Sequence, residues 1–383
     1  MSSDQSTPAG APPGGGRAAR GGGHAAPSAT RATALRDPRL MRAQRRHAWA
    51  ILALPLAGSA LAIGLAIRDG GAPWQALAIL GVCYLLTYAG ITVGFHRLLS
   101  HRAFETVPWL RNLLAVLGCM AAQGPAIYWA ANHRLHHIRS DRDGDPHSPR
   151  IAHGRALGRW EGFWHAQIGW TFNHTPADVF ANARDLTRDR SLMKINQRYL
   201  WWVALGLAVP ALAGLLMLGD AYGALLGLLW GGAVRLTLSY HFTNAINSVT
   251  HIVGTRPFGG RNTSTNFWPI ALPTLGEAWH NNHHAFPTSA RFGLDWREPD
   301  IGWWIISGLD AAGLARNIRR PAPESIAARR AAAADQRAMP SPSVDPGPSV
   351  DPGPSVDLGP SVDLGRPDAK DSDAQDGDED LAA

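Results

Sequence analysis

Apolar positions along this chain gather into four nearly unbroken runs separated by polar segments. The runs are AWAILALPLAGSALAIGLAI (48–67), PWQALAILGVCYLLTYAGITVGF (73–95), YLWWVALGLAVPALAGLLML (199–218) and AYGALLGLLWGGAVRLTLSYHFTNAI (221–246). A helix rising about 1.5 Å per residue needs about twenty residues to cross roughly 30 Å of hydrocarbon. Each run is that long, so the pattern predicts four transmembrane helices. Short links at Arg68–Gly70 and Gly219–Asp220 join them as two hairpins. A fifth apolar stretch, 110–131, is broken by Gln123, Gly124 and Pro125, and is expected to be an amphipathic or partly embedded segment. The predicted fold class is an all-α integral membrane protein: four transmembrane helices as two hairpins under a cytoplasmic helical cap.

The two ends read differently. Residues 1–35 are low-complexity Gly, Ala, Ser and Pro; a membrane domain is expected over 36–330, and 331–383 is expected to be a second tail. That tail repeats PSVDPG twice and PSVDLG twice, then ends in the acidic DSDAQDGDED. Such segments bury too little apolar surface to fold, so both tails are expected to be disordered. The first 47 residues show no apolar signal-peptide core.

Charge orients the hairpins. The formal net charge is +6, and Lys194 and Lys370 are the only lysines, so arginine sets the sign. Arg36, Arg39, Arg42, Arg45 and Arg46 precede the first run, and the segments 96–198 and 247–330 carry most of the remainder. The excess of cations in these segments places them, with both termini, in the cytoplasm. No helix-turn-helix or zinc-finger module accompanies the basic balance, which argues against a nucleic-acid partner. Arg235 and His241 lie within the fourth run, where an ionisable group is costly; Arg235 is expected to be paired or to reach the interface in a structural role.

Histidine carries the candidate chemistry. With Cys83 and Cys119 alone there is no disulfide framework, thiolate zinc site or iron–sulfur site. His96 and His101 are spaced H-x4-H in GFHRLLSHRAF. His133, His136 and His137 form H-x2-H-H in NHRLHHIRSD, and His280, His283 and His284 repeat it in EAWHNNHHAFP. His251 follows the fourth run in NSVTHIVGTRPF, four residues after Asn247. The topology brings all nine to one layer at the membrane surface. Residues three and four apart share a helix face, so the first histidine of each H-x2-H-H box is expected to meet the following pair. Nine imidazoles could serve two metal ions, and imidazole alone does not choose among Fe, Zn and Cu. The soluble di-iron carboxylate pattern is excluded, because Glu277 to His280 is its one match.

The three boxes HRLLSH, HRLHH and HNNHH on a chain with four membrane runs resemble the integral-membrane fatty acid desaturases. NSVTHIVGTRPF, DGDPHSP (143–149) and HAQIGWTF (165–172) are similar to the Δ9, stearoyl-CoA-desaturase-like branch, and the resemblance covers about residues 40–300. It implies that His96, His101, His133, His136, His137, His251, His280, His283 and His284 ligate two irons. It implies that Asn247 contacts one iron through water, and that Trp170 borders the site. It also implies an O2-dependent reaction that removes two hydrogens from a saturated acyl chain to leave a cis double bond. The substrate is then an acyl-CoA or an acyl-lipid. No cytochrome b5 segment is present, so electrons are expected from a separate donor, ferredoxin- or cytochrome b5-like with its reductase. Segment 96–198 holds fourteen Arg and Lys against eight Asp and Glu, which suits a membrane-facing surface or the phosphates of an acyl-CoA.

A C–H bond of an alkyl chain has no acidic proton, so the metal must carry the chemistry while the protein holds the chain and excludes water. Leu80, Cys83 and Tyr84 are expected at the closed end of an acyl tunnel, and His147 and His165 beside the ligands. His24, His47, His153 and His174 have no expected role. Composition suggests a bacterial plasma membrane. The boxes are shared with lipid hydroxylases, alkane monooxygenases and carotenoid-modifying enzymes, which stay open as alternatives, as does a non-catalytic metal-binding membrane protein.

Overall fold

The structure, a computed structural model, describes residues 34–35 and 37–338. The low-complexity stretch before it and the PSVDPG/PSVDLG repeats after it, with the disorder expected of them, lie outside the described residues, as does His24.

Four long helices cover the apolar runs: Pro38–Arg68, Trp74–Ser100, Tyr199–Leu218 and Ala221–His251. All four are long and apolar enough to cross a membrane. The first starts ten residues before its apolar run, with Asp37 capping it through a 2.7 Å bond from the Arg39 amide and Pro38 at its first position. The fourth span is the hub: it packs on each of the other three, so the first span docks on the fourth rather than closing a self-contained hairpin with the second. Third and fourth spans meet most closely, where a Cβ added to Gly214 would lie 2.1 Å from the Gly223 carbonyl. Large aliphatic side chains on the outer faces remain exposed, among them Leu56, Ile67, Leu85 and Leu216, as a lipid-facing surface requires.

Two spans are not uniform α-helices. The second passes into π geometry over Gly90–Ser100 and the fourth over Leu228–Val234. Gly90 permits the first of these segments to lie against its neighbour, since a Cβ there would stand 2.2 Å from the Gly118 amide nitrogen. Directly after the second π segment comes Arg235, fully buried and paired as expected. It donates to the carbonyls of Gly231 (2.6 Å), Met120 (2.9 Å) and Gly206 (2.9 Å). Gly206 sits four residues before Pro210, which has no N–H to give it, so the guanidinium takes over a carbonyl that the helix cannot satisfy.

The fifth apolar stretch is not one segment but two helices, Pro108–Cys119 and Ala126–Arg139, parted at Gln123–Pro125. The first buries Leu110, Leu114, Ala115 and Cys119 in the main core; the second carries the HRLHH box. The remaining chain wraps this layer with short helices and two small antiparallel strand pairs, Glu105–Thr106 with Ala315–Arg316 and Ile151–Ala152 with Arg155–Ala156. The helix Pro323–Ala338 runs through the boundary expected at 331. Its Ala- and Arg-rich sequence favours helix, and Arg329 lies 4.7 Å over the Phe286 ring just past the third box.

Candidate metal centre

His96 and His101 are five residues apart, a spacing that an α-helix would split between two faces. The π geometry resolves this. The His101 amide donates to the His96 carbonyl at 3.1 Å, an i to i+5 bond, and the two rings stand 4.9 Å apart.

Each H-x2-H-H box serves two places. His133 and His137, four apart on one turn, join His96, His101 and His283; His280 and His284 join His251 and His136. The nine imidazoles thus form one group of five and one of four, each with its ring nitrogens within 4.8 Å of one another and each able to hold a metal ion. The expectation that the first histidine meets both of the following pair is corrected: it keeps the i+4 partner, and the i+3 histidine crosses to the other group. A turn of 3.6 residues leaves i+3 and i+4 on opposite flanks of position i.

Converging nitrogens set the chemistry. In the group of five, Nε2 of His101 lies 2.8 Å from that of His133, His133 is 3.0 Å from His137, His137 is 2.9 Å from His283, and His283 is 3.1 Å from His96. In the group of four, His251–His280 and His280–His284 are each 3.0 Å, and His284–His136 is 3.3 Å. Such spacings match neighbouring ligands held about 2.1 Å from one ion.

The far side of several rings confirms the tautomer. Nδ1 of His96 donates to Glu277, that of His136 to Asp145 at 2.9 Å, and that of His251 lies 3.4 Å from Asp141. A neutral ring that donates from Nδ1 turns a lone pair outward from Nε2, the arrangement typical of metal-bound histidine. Lone pairs gathered in a buried layer repel one another unless a cation lies between them, so the residues fit a metal at each group.

Burial keeps six of these ligands neutral. It pushes the pKa values of His101, His133, His137, His280, His283 and His284 well below the ordinary imidazole value, with neighbouring imidazoles adding to the effect. Burial also lowers His136, but the Asp145 carboxylate outweighs it and the net shift is upward. Burial raises Asp145, and His136 reverses that, holding the carboxyl at about 2.

Several supporting residues were not anticipated from the sequence. Glu277 accepts from both Thr92 and His96, and fully buried Arg97 lies 3.6 Å from it and 2.9 Å from Asp300. The carboxylate of the E-x-x-H match is therefore a support for His96. The asparagines of HNNHH hold the box in place. The Asn281 carbonyl oxygen accepts from the Phe258 amide (2.9 Å), Asn282 donates to Glu298 (2.8 Å), and Asn266 accepts from both their amides (3.0 and 3.2 Å). Asp141 accepts from Thr263 and Ser148, tying the DGDPHSP segment to the one after His251.

Asn247 donates to Asn244 at 3.3 Å on the wall of a cavity of about 390 Å³. That cavity reaches His133 and is bordered by Trp170 and His147. Leu80, Cys83 and Tyr84 do not line it, and Tyr84 instead donates to the Pro273 carbonyl. His165 is half-buried in the helical segment before Trp170. His47 and His174 gain roles as hydrogen-bonding wall residues, while His153 occupies a turn with φ of 52°.

Residues 72–298 match the family model described as fatty acid desaturase. The chain is 42% identical over 252 residues to the hex-5-enoyl acyl-carrier-protein acetylenase of Moorena producens (strain JHB), covering 65% of this chain and 78% of that protein. It is 39% identical over 249 residues to the sn-1 stearoyl-lipid 9-desaturase of Anabaena variabilis (64% and 85%). It is 37% identical over 252 residues to the acyl-CoA C20 Δ5-desaturase of Anemone leveillei (65% and 74%).

Proposed function

We propose that this chain, which belongs to the fatty acid desaturase family, inserts a cis double bond at Δ9 of a saturated acyl chain, using two irons held by its eight box histidines and His251. The chain is an oxidoreductase of that family, and its histidine groups form a metal site of the family's type. The observation that carries the reading is the pair of imidazole groups, five and four, with a cavity that reaches His133 of the group of five. Irons bound there would activate O2 for removal of hydrogen from an unactivated methylene. The protein's part is to hold the ligands neutral, keep water out, and aim the chain. Glu277, Asp145 and Asp141 fix the rings from behind, and Trp129 and Trp170 wall the approach to His133. Asn247, four residues before His251, would complete the group of four through water, since that group has one imidazole fewer.

Δ9 placement is supported by the 9-desaturase relative, while the acetylenase and Δ5 relatives mark the range the scaffold serves. Electrons come from a separate donor protein, ferredoxin- or cytochrome b5-like. The arginine-rich segments favour an orientation with the histidine layer and both termini in the cytoplasm, and composition favours a bacterial plasma membrane. Mass spectrometry of fatty acid methyl esters from cells expressing the protein tests the function. Monounsaturated C16 and C18 chains with a Δ9 bond are expected, and are lost in His283→Ala. Hydroxylated chains would assign it instead to the oxygenase relatives.

A further inference from the structure

The nine histidines are not held alike. His96, His136 and His251 each have a carboxylate behind the ring: Glu277, Asp145 and Asp141. His280 and His283 do not. The Nδ1 of each is shielded from solvent and has no hydrogen-bond partner among the described residues. A ligand ring without such a partner is free to turn about its side-chain bonds, so its aim has to come from the backbone that carries it. For HNNHH that backbone is a helix of six residues, His280–Ala285, far shorter than one that is stable alone.

The helix Pro323–Ala338 supplies the hold, from beyond the residues that match the family model. Arg329 donates to the Ala285 carbonyl, one of the helix-end carbonyls that have no partner within the helix. Its guanidinium stands over Phe286, the next residue. Arg330 lies 5.6 Å from the centre of the Phe258 ring, and Phe258 meets Phe286 edge-on at 5.4 Å. A cation this close to a ring face is attracted to it. Phe258 is fully buried and exchanges two hydrogen bonds with Asn281: its amide donates to Oδ1 at 2.9 Å, and its carbonyl accepts from Nδ2 at 3.3 Å. Further along the helix, Arg337 donates to the Arg256 carbonyl at 3.2 Å. Two cations thus bracket two rings that are tied to the middle and the end of the third box.

We propose that Arg329 and Arg330 are positioning residues for the metal centre, and that their helix is a clasp keeping the third box aimed. The box gives His280 and His284 to the group of four and only His283 to the group of five, so the clasp governs the group of four first. This rests on the metal reading of the histidines and is independent of which reaction they run.

The test uses the full-length protein loaded with iron-57 and challenged with a ferrous chelator, with Mössbauer spectra of the iron that remains. In Arg329→Gln/Arg330→Gln, iron of the group of four is expected to leave about tenfold faster than in wild type, and that of the group of five less than about twofold faster. Arg329→Lys/Arg330→Lys keeps both cations and should release iron as wild type does. Arg320→Gln removes a guanidinium 5.5 Å from the Trp303 ring, the same kind of contact on the Ile301–Ala311 helix, and leaves both rates in place. Hydrogen–deuterium exchange reads the clasp without turnover: amides of 280–286 should exchange about tenfold faster in the glutamine pair. If that pair does not fold, Arg329→Gln alone carries the same comparison. Unchanged release would overturn the proposal. So would release sped equally from both groups, or sped as much by Arg320→Gln, since either marks a general loosening. If wild type holds two irons but makes no double bond, the desaturase reading fails alone and the release rates still decide the clasp. A wild type that takes up no iron overturns both.

Discussion

The two imidazole groups are built from the same boxes but supported differently. The group of five rests on the second span, where a π segment turns His96 and His101 together and Glu277, Arg97 and Asp300 form a buried ionic backing. The group of four rests on loop carboxylates, Asp145 behind His136 and Asp141 behind His251. The backing of one site is thus anchored on a membrane helix and that of the other in loop chain, although His251 itself closes the fourth span. The difference teaches where each metal should be vulnerable: the first to helix geometry, the second to loop contacts.

The largest effect is expected from His283→Ala. His283 touches both His96 and His137 at the centre of the group of five, so its loss should empty that site and reduce turnover by more than about 100-fold, beyond what loss of a supporting residue does. Next come the supports. Glu277→Gln should weaken metal binding in the group of five about 10–100-fold, and Asp141→Asn should do the same in the group of four. Metal titration with each variant distinguishes the sites; the same metal lost in both would dissolve the comparison. Arg235→Met should leave three buried carbonyls without their donor, at about 1–3 kcal/mol each. Thermal unfolding in detergent should fall accordingly, while the folded fraction keeps its full metal content. The smallest effect is expected from Asn247→Ala: both metals retained and turnover down about tenfold, seen as a change in the spectrum of the group of four alone.

Much of this was legible in the sequence because its signals are local or cumulative. Four runs of membrane-spanning length and nine histidines in three boxes plus His251 need no knowledge of packing. What was hidden depends on contacts between distant segments. Glu277 looked like half of a carboxylate motif, and only its meeting with His96, 181 residues away, shows it as a ring support. The crossing of His136 and His283 between groups follows from two helices facing each other. One clue was available: H-x4-H does not fit one face of an α-helix, and five-residue spacing points to the π geometry found at Gly90–Ser100. The tunnel end expected at Leu80, Cys83 and Tyr84 had no such signal, and the cavity along the first and third spans does not reach these residues.

The most direct measurement is the metal content of the purified full-length protein, by elemental analysis with Mössbauer spectroscopy of the iron-57-loaded form. Two irons per chain in two nitrogen-rich environments, falling to one in His283→Ala and to one of the other kind in His280→Ala, is the predicted result. A single ion shared by all nine histidines, or two whose spectra respond alike to both substitutions, would contradict the division into five and four.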